Sequence, residues 1–535
     1  MSRSCLSLLT VLSLGATFAS PAAAELTLPN IFGDHMVLQQ EMEVPVFGQA
    51  DAGQEVSVTF GGQTKSATAN DDGRFVVRLD KLTASFDPQT LTVKAGDQTK
   101  EYTDVLVGEV WVCSGQSNME WAVQNAVEAE IELLAANRPN IRLIEISSVT
   151  AAEPQDNVPG SWTPCTPDSV ADFTAVGYFY GKTLQDILNV PIGLIDTTWG
   201  GTRAEAWTPP EALANVDELQ VLTDAWAEKQ QRYSPEAAKK AYAKSLDAWK
   251  AKWATYKKAA AAGKLPPGTP GPRKPQLQSE PNLDRHAPSR LWNAMVSGMV
   301  PYGIRGAIWY QGESNSNRSK QYRTLIKTMI TGWRDAWAQG DFPFYQVQLA
   351  NFKEKTDQPG ESGWAELREA QDYAAETLPN AGKAVITDIG AAKDIHPKDK
   401  QNVAKRLARL ALADVYGYSI TREGPQFDSA TFENGVAKVK FTGLGQGGYT
   451  GLTTYYREPL TGFTIAGEDK TFKKAKAKIM GDTVIVSHPD VKQPVAVRYN
   501  WADNPSGTLQ NRAGLPAEPF RTDSFPGVTD NNVQP

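Results

Sequence analysis

Cysteine and histidine are scarce in this chain, and their scarcity limits the kinds of site that it can build. Among 535 residues there are three cysteines and four histidines. So few sulfur and imidazole ligands argue against a structural zinc site, and the sequence predicts neither a metal ion nor another cofactor. Cys5 lies in the N-terminal segment that we predict to be removed from the mature protein. Cys113 and Cys165 are the cysteines that remain. In an oxidising compartment these two can pair or remain buried thiols, and the sequence leaves both open.

Positive charge is not in excess, and long apolar runs are missing after the first residues. Lysine and arginine number 54 against 61 acidic residues, which gives a net charge of −7. Without a long basic run, neither nucleic acid nor an anionic membrane surface is an expected partner. No apolar run in the mature chain is long enough for an integral membrane segment. The sequence carries no signal of the oligomeric state.

The N-terminus has the pattern of a signal peptide. Arg3 provides a positive charge, residues 6–18 are mostly apolar, and three alanines at 22–24 form a small-residue cleavage site. We therefore predict a signal peptide over residues 1–24 and an exported protein, either periplasmic or secreted.

Apolar periodicity divides the remaining chain into three regions and a tail. Residues 25–104 alternate polar and apolar positions between turn signals, which predicts an N-terminal β-sandwich region. Residues 105–418 alternate strand and helix patterns, which predicts a parallel sheet covered on both faces. Residues 419–522 return to a β pattern and predict a C-terminal β-sandwich region. Residues 523–535 are polar and predict a disordered tail.

An insertion at about 213–284 interrupts the strand–helix alternation. Aromatic and aliphatic residues recur there at helical spacing, which predicts one arm of a helical hairpin; these residues are Tyr242, Leu246, Trp249, Trp253 and Tyr256. A connector rich in proline and glycine follows over 266–281. A lid over a substrate is one interpretation of the aromatic stripe, but the spacing favours packing.

The stretch from Val105 to Met119 organises the middle region. An apolar, β-branched run over 105–112 predicts a strand buried on both faces. A helical pattern follows Ser117 directly, with apolar residues at 123, 127, 131 and 134. Ser117 thus lies at a strand-to-helix turn, beside free N–H groups at the start of the helix. It is either a nucleophile or simply a helix cap.

Further elements place polar residues at other strand ends. We predict strands over 192–198, 304–310, 344–349 and 384–389, and helices over 176–188 and 402–416. The loop Trp199-Gly200-Gly201 follows the first of these strands, and Gln311 follows the second. Ligands of such sheets bind outside the carboxyl ends of the strands.

Histidine supplies the general base by elimination. His35 and His488 belong to the β regions and His286 follows the connector, whereas His396 lies between a core strand and a core helix. Asp394, two residues upstream, can orient its imidazole. An adjacent carboxylate raises the pKa of an imidazolium, so we expect the pKa of His396 near or above its usual 6.5.

Donors for an oxyanion are present at the same sheet edge. The N–H of Ser117, the backbone at Gly201 and the side-chain amide of Gln311 are candidates. Gly200-Gly201 can equally form a tight turn, and Gln311 can be an ordinary loop residue.

Four blocks together resemble the SGNH (GDSL-like) hydrolase superfamily, and more closely its sialate O-acetylesterase family. The blocks are Gly-Gln-Ser-Asn-Met at 115–119, Trp-Gly-Gly-Thr at 199–202, Trp-Tyr-Gln-Gly-Glu at 309–313 and Asp-Ile-His-Pro at 394–397. The resemblance extends over nearly the whole mature chain. It implies a flavodoxin-like three-layer α/β/α domain with β-sandwich appendages and no metal. It also implies that Ser117 is the nucleophile, His396 the base, and Gly201 and Gln311 oxyanion donors.

Two features depart from the superfamily pattern. The aspartate lies two residues before the histidine rather than three, and Gln311 stands where asparagine is usual. Asp394 is the expected acid, and Glu313 is the alternative.

The sequence therefore predicts a serine carbohydrate O-acetylesterase that forms an acetyl-serine intermediate, with an acetylated carbohydrate as substrate. A sialate O-acetylesterase is favoured over an acetylesterase of xylan or another polysaccharide, and a non-catalytic glycan-binding protein is the remote alternative. Trp121, Trp199 and Trp207 are candidates for stacking on a sugar. Arg203 can bind the carboxylate of a sialic acid, although a structural ion pair is favoured.

Overall fold

The computed structural model of the protein describes residues 25–266, 268–278, 280–356 and 358–535. The predicted signal peptide, residues 1–24, lies outside the described residues. The described chain begins with a β region of six strands followed by a longer one. They are β1 (Val37–Gln39), β2 (Val44–Gln49), β3 (Glu55–Phe60), β4 (Gln63–Thr68), β5 (Arg74–Leu79), β6 (Ser85–Ala95) and β7 (Gln98–Gly115).

The 18-residue strand β7 belongs to two sheets. Its first half pairs antiparallel with β6. Its apolar second half, from Val105 onward, is buried on both faces and continues into the central sheet. The predicted boundary between residues 104 and 105 therefore falls inside one strand, which joins the N-terminal β region to the central sheet without a linker.

The central sheet adds six strands to β7. They are β8 (Arg138–Glu145), β9 (Trp162–Cys165), β10 (Ile192–Thr198), β11 (Gly306–Tyr310), β12 (Phe344–Val347) and β13 (Ala381–Ala384). The spatial order is β13-β12-β11-β7-β10-β8-β9. All neighbours are parallel except β9, which pairs antiparallel with β8 at one edge. Since β7 lies at the centre, the residues after its carboxyl end are flanked by the ends of β10 and β11.

Helices cover both faces of this sheet. The α-helices of the described residues are α1 (Ser117–Glu120), α2 (Ala129–Leu134), α3 (Pro167–Val170), α4 (Ala175–Leu188), α5 (Pro210–Ala214), α6 (Gln220–Arg232), α7 (Pro235–Ala261), α8 (Ser319–Trp337), α9 (Gly363–Thr377) and α10 (Lys400–Asp414). α4 and α10 pack together over one apolar core, and α8 and α9 pack together over another. The three-layer α/β/α fold is confirmed.

The insertion contains the two helices α6 and α7, which are joined by residues 233–234. The aromatic stripe of α7 packs against the connector that follows it. The indole N–H of Trp249 donates to the carbonyl of Pro272 (2.8 Å), and the hydroxyl of Tyr256 donates to that of Thr269 (2.6 Å). The stripe is therefore engaged within the insertion, as the packing interpretation expects, rather than presented to a substrate.

The C-terminal region contains two four-stranded sheets around its own apolar core. Its strands are β14 (Gln426–Glu433), β15 (Val436–Thr442), β16 (Leu452–Thr454), β17 (Phe463–Ala466), β18 (Lys473–Lys474), β19 (Lys476–Met480), β20 (Thr483–Ser487), β21 (Ala496–Tyr499), β22 (Leu509–Asn511) and β23 (Phe520–Arg521). The sheets have the orders β14-β15-β20-β19 and β18-β17-β21-β23, and β16 pairs with β22.

The prediction of a long helix after Ser117 is wrong. The helix ends at Glu120, and only α2 continues the pattern, with Ile131 and Leu134 67% and 85% exposed. The reason is that the loop before α4 competes with the helix for the backbone N–H of Val123. The N–H of Val123 donates to the carbonyl of Phe173 (3.1 Å), so the chain leaves the helix to follow the loop before α4.

Two further predictions are corrected at the ends of elements. The strand predicted over 384–389 lies earlier in the chain, at Ala381–Ala384, and it ends where its described neighbour β12 ends, at the pair Val347 and Ala384. The tail predicted to be disordered is held against α9, since the N–H groups of Val528 and Thr529 donate to the carboxylate of Glu366 (2.7 and 3.1 Å).

Cys113 and Cys165 are buried and unpaired. Both belong to the core under α4 and α10, and burial raises the pKa of the Cys165 thiol to about 12. Of the helices in the described ranges, none combines the length and the apolar character needed to cross a membrane.

Candidate active site

Ser117 and His396 meet at the carboxyl edge of the central sheet. The hydroxyl Oγ of Ser117 lies 2.8 Å from Nε2 of His396, although the two residues are 279 positions apart in sequence. Both side chains are half-buried. A serine hydroxyl within hydrogen-bond distance of an imidazole nitrogen is the arrangement that activates a serine nucleophile.

A tight turn between β7 and α1 places Ser117 at this edge. Gly115 has φ +137°, and a Cβ there would collide with the carbonyl oxygen of Tyr310 on β11. The N–H of Gln116 donates to that same carbonyl (3.0 Å), while its own carbonyl accepts from the N–H of Met119 (2.7 Å). Glycine is therefore required where the strand ends, and the next two residues turn directly into a helix.

Asp394 lies beside His396 but is not hydrogen-bonded to its ring. Its Oδ1 accepts from the backbone N–H of His396 (2.9 Å) and is 3.7 Å from the ring atom Nδ1. Trp121 stacks on the imidazole, with ring centroids 5.2 Å apart. The loop and the indole together fix the position of the ring.

The pKa of His396 is lowered, not raised as expected from the sequence. Burial is the largest cause, the positive charge of Lys400 adds to it, and the Asp394 carboxylate opposes it. The prediction counted only the carboxylate and missed the lysine. The imidazole is therefore neutral, and able to accept a proton, at neutral pH.

Glu313 contacts Asn118 rather than the histidine ring. Its Oε1 accepts from Nδ2 of Asn118 (2.6 Å), and Oδ1 of Asn118 accepts from the buried ammonium of Lys400 (2.6 Å). The same Nδ2 donates to the carbonyl of Ile395 (3.0 Å), next to His396. Asn118 thus ties the residue after the nucleophile to the loop that carries the base.

Three backbone N–H groups in the turns next to Ser117 have no acceptor among the described residues. A Cβ on Gly200 would lie 3.2 Å from the Cβ of Ser117, so the loop after β10 touches the nucleophile. Gly201 has φ +73° and is half-buried. Within the described part of the chain, the N–H groups of Ser117, Gly200 and Gly201 donate to no other residue. These groups are available to an oxyanion.

The structure does not support Gln311 as an oxyanion donor. Its side-chain nitrogen donates to the carbonyl of Thr202 (3.2 Å) and to Oδ1 of Asn315 (2.7 Å), so both amide hydrogens are used. Gln311 follows β11 as predicted, but its fully buried amide holds the Gly201–Thr202 loop from behind.

A buried polar network holds the same loop. Asn315 accepts from the N–H of Ala204 (3.1 Å) and donates to the carboxylate of Glu205 (2.9 Å). Glu205 in turn accepts from the guanidinium of Arg318 (2.6 Å), and both side chains are almost completely buried. The hydroxyl of Ser314 donates to the carbonyl of Gly201 (3.0 Å). The loop carbonyls are thus bonded away from Ser117.

The remaining candidates differ in their surroundings. Trp121 and Trp199 are half-buried near the site, whereas Trp207 is completely buried against Trp309 and cannot stack on a sugar. Arg203 is half-buried and forms no ion pair with any described residue, contrary to the favoured structural role. Sequence reasoning missed Asn118 and Lys400, although Asn118 lies inside the quoted Gly-Gln-Ser-Asn-Met block. Among the described residues, no group of three or more histidine, cysteine or acidic side chains is arranged to hold a metal ion.

The fold and the site have the features of the α/β serine hydrolase class. A serine at a strand-to-helix turn contacts a histidine at the carboxyl edge of a parallel sheet, with free N–H groups beside it.

Comparisons with known proteins narrow this class. Residues 282–412 match the family model of a carbohydrate esterase, sialic acid-specific acetylesterase. The sialate O-acetylesterase of Rattus norvegicus is 29% identical over 434 residues, which cover 73% of this chain and 74% of that protein. The sialate O-acetylesterase of Homo sapiens is 28% identical over 434 residues, covering 74% and 72%. The crystal structure of a carbohydrate acetylesterase from Xanthomonas citri is 34% identical, with a TM-score of 0.77 over 94% of this chain and 100% of that one. The chain belongs to the sialate O-acetylesterase family.

Proposed function

We propose that this protein is a serine carbohydrate O-acetylesterase, with Ser117 as the nucleophile and His396 as the general base. The observation that carries this proposal is the 2.8 Å contact between the Ser117 hydroxyl and Nε2 of His396 at the sheet edge. The family relationship supports an acetylated sugar as the substrate.

The geometry supports a two-step reaction. The Ser117 oxygen attacks the acetyl carbonyl while its proton passes to Nε2 of His396. The resulting oxyanion accepts hydrogen bonds from the N–H groups of Ser117, Gly200 and Gly201. The carbon–oxygen bond to the sugar then breaks, and His396 returns the proton to the departing alkoxide. Water, deprotonated by His396, attacks the acetyl-serine and releases acetate and free Ser117.

Asp394 is the acid that we assign to this histidine. Its carboxylate is 3.7 Å from Nδ1, and no described contact joins Glu313 to the ring. A negative charge at this distance stabilises the imidazolium that forms during attack.

A panel of acetyl esters tests the proposed reaction. Purified protein is expected to release acetate from para-nitrophenyl acetate and from an O-acetylated sialic acid, and more slowly from acetylated xylan. Faster turnover of acetylated xylan would reassign the substrate to a neutral polysaccharide. No turnover of any ester, with binding to a glycan retained, would instead indicate a non-catalytic binding protein.

We also propose that the protein is exported. The n-region, apolar core and alanines of residues 1–24 support this. N-terminal sequencing of the mature protein from the expressing cells is expected to begin near Glu25. A mature chain that keeps Met1 and remains with the cytosolic fraction would refute it.

A further inference from the structure

Glu120 is an exposed acidic residue that contacts the loop beside the nucleophile. Its Oε2 lies 2.5 Å from the position that a Cβ on Gly200 would occupy, and the Cβ of Ser117 lies 3.2 Å from that same position. In the described ranges the Glu120 carboxylate accepts no hydrogen bond and forms no ion pair. Glu120 therefore places a free acceptor, open to solvent, next to Ser117.

Gly200 is what allows the carboxylate to come so close. Unlike Gly201, with its φ of +73°, Gly200 does not have a left-handed backbone, so its conformation alone does not require glycine. A side chain at this position would instead displace the Glu120 carboxylate and crowd Ser117. The missing side chain thus leaves room for the carboxylate at the nucleophile.

The backbone on both sides of Glu120 is held in place. The hydroxyl of Thr174 donates to the carbonyl of Met119 (2.5 Å), and the N–H of Ala175 donates to the carbonyl of Trp121 (2.8 Å). Glu120 is therefore attached to a backbone that is fixed to the start of α4, and its side chain extends from there to the loop after β10.

The charges around Glu120 do not neutralise it. Burial is the largest cause that raises the pKa of Glu145, and the negative charges of Asp172 and Glu120 add to it. Burial likewise raises the pKa of Asp196, with Glu120 again among the smaller causes. This side of the site is acidic and does not attract a second anion. A carboxylate here suits a neutral hydrogen-bond donor, such as a hydroxyl group.

We propose that Glu120 is a specificity-determining residue that accepts a hydrogen bond from the sugar hydroxyl next to the acetyl ester. The acetyl carbon must reach Oγ of Ser117, so the sugar carbon next to the ester lies at the mouth of the site, beside the Glu120 carboxylate. Hydrogen bonds to a charged acceptor are stronger than neutral ones. This inference rests on the proposed esterase function and names the feature of the sugar that the enzyme recognises.

The same carboxylate disfavours an ester that has no hydroxyl. Its negative charge lies beside Gly200, whose N–H is a candidate donor to the oxyanion, and like charges repel. A sugar hydroxyl that donates to the carboxylate offsets this repulsion, whereas para-nitrophenyl acetate has no hydroxyl to donate. Removal of the charge should therefore affect the two kinds of ester in opposite directions.

The test compares an O-acetylated sialic acid with its deoxy analogue, in which hydrogen replaces the hydroxyl on the carbon next to the ester. The wild type is expected to favour the hydroxyl-bearing substrate by about tenfold or more in kcat/KM, the value of a hydrogen bond to a charged group. Glu120→Ala should lose most of this preference. Glu120→Gln keeps an acceptor oxygen and should retain part of it, while its turnover of para-nitrophenyl acetate should rise.

Glu130→Gln is the matched control. It makes the same change in charge as Glu120→Gln at an exposed position of α2, and it should keep the wild-type preference. If the panel of acetyl esters reassigns the substrate to xylan, the same pair of substrates is made from a mono-O-acetylated xyloside.

Equal kcat/KM values of the wild type on the hydroxyl-bearing substrate and its deoxy analogue would overturn the proposal. Equal losses in Glu120→Ala on both substrates and on para-nitrophenyl acetate would also overturn it, since Glu120 would then only support α1. Failure of the esterase proposal itself would appear separately, as no turnover of para-nitrophenyl acetate by the wild type.

Discussion

Lys400 is completely buried behind the Ser117–His396 pair, where an ammonium group is unexpected. Its nitrogen donates to Asn118 and lies 5.2 Å from the ring centre of Tyr310. Burial lowers the pKa of Lys400 to about 7, with Glu313 and Asp394 opposing. Its positive charge is also one of the causes that lower the pKa of His396.

Removal of this charge should move the pH profile of the enzyme. His396 must be neutral to accept a proton, so activity rises with pH through its pKa, which lies below the usual 6.5. In Lys400→Met the loss of the positive charge raises that pKa, and the rising limb of kcat/KM should shift to higher pH. Lys398→Met removes an exposed, solvent-screened charge two residues away and should leave the limb in place. An unshifted limb in Lys400→Met would contradict the electrostatic role.

Gln311 is expected to act as a positioning residue, and its effect on stability distinguishes this from a donor role. Gln311→Ala leaves the buried carbonyl of Thr202 without its donor, while Oδ1 of Asn315 keeps only the N–H of Ala204. Each unsatisfied buried group costs about 1–3 kcal/mol, so urea denaturation should show lower stability together with a lower kcat. Reduced kcat with unchanged stability would instead favour direct donation to the oxyanion, as the sequence predicted.

The choice between the two acids is tested by paired substitutions. Asp394→Asn removes the negative charge nearest Nδ1, and loss of the corresponding acid in a related triad costs on the order of 10⁴ in kcat. Glu313→Gln keeps an oxygen that accepts from Asn118 and should cost much less. Steady-state kinetics of the two variants compare them directly, and the reverse order of severity would transfer the role to Glu313.

At the scale of elements, the C-terminal tail contributes to stability although its sequence is polar. Glu366 of α9 is 5% exposed and accepts from the N–H groups of Val528 and Thr529 and from the Thr529 hydroxyl. Truncation after Phe525 should lower the free energy of unfolding by about 1.5–3 kcal/mol, the value of hydrogen bonds to a charged group. Removal of residues 534–535 alone is the control. Equal denaturation midpoints for the two truncations would show that the contacts between the tail and Glu366 do not contribute to stability.

Buried strands were predictable from the sequence because their signals are local. The apolar run of β7 and the residues at the ends of β10 and β11 sufficed to place Ser117, Gly201 and Gln311 at one edge of the sheet. Helix length after Ser117 was not predictable, because the loop before α4 competes for the backbone of Val123.

The sequence could not predict the direction in which a side chain points, or the residues distant in sequence that become its partners. Gln311 turns under the loop because the carbonyl of Thr202 and Asn315 are there to accept from it. Lys400 gives no local signal, since only the fold brings it from α10 to Asn118. The four motif blocks identified the family; they did not distinguish donors from positioning residues.

At the scale of the whole molecule, one strand connects the N-terminal β region to the catalytic sheet. The apolar core under α8 and α9 continues into residues of β2, β3 and β5, so the two regions share one interior. The C-terminal region is attached through Arg521, which forms an ion pair with Glu369 of α9 (2.7 Å). The N-terminal region therefore supports the face of the domain covered by α8 and α9, while the carboxyl edge of the sheet bears the site.

The central claim is that Ser117 attacks the acetyl group with His396 as its base, and the turnover of Ser117→Ala tests it most directly. Loss of a triad serine costs on the order of 10⁶ in kcat, so this variant should be folded, as judged by circular dichroism, and almost inactive on para-nitrophenyl acetate and on an O-acetylated sialic acid. Activity of a folded Ser117→Ala protein within about tenfold of the wild type, far from that loss, would contradict the account.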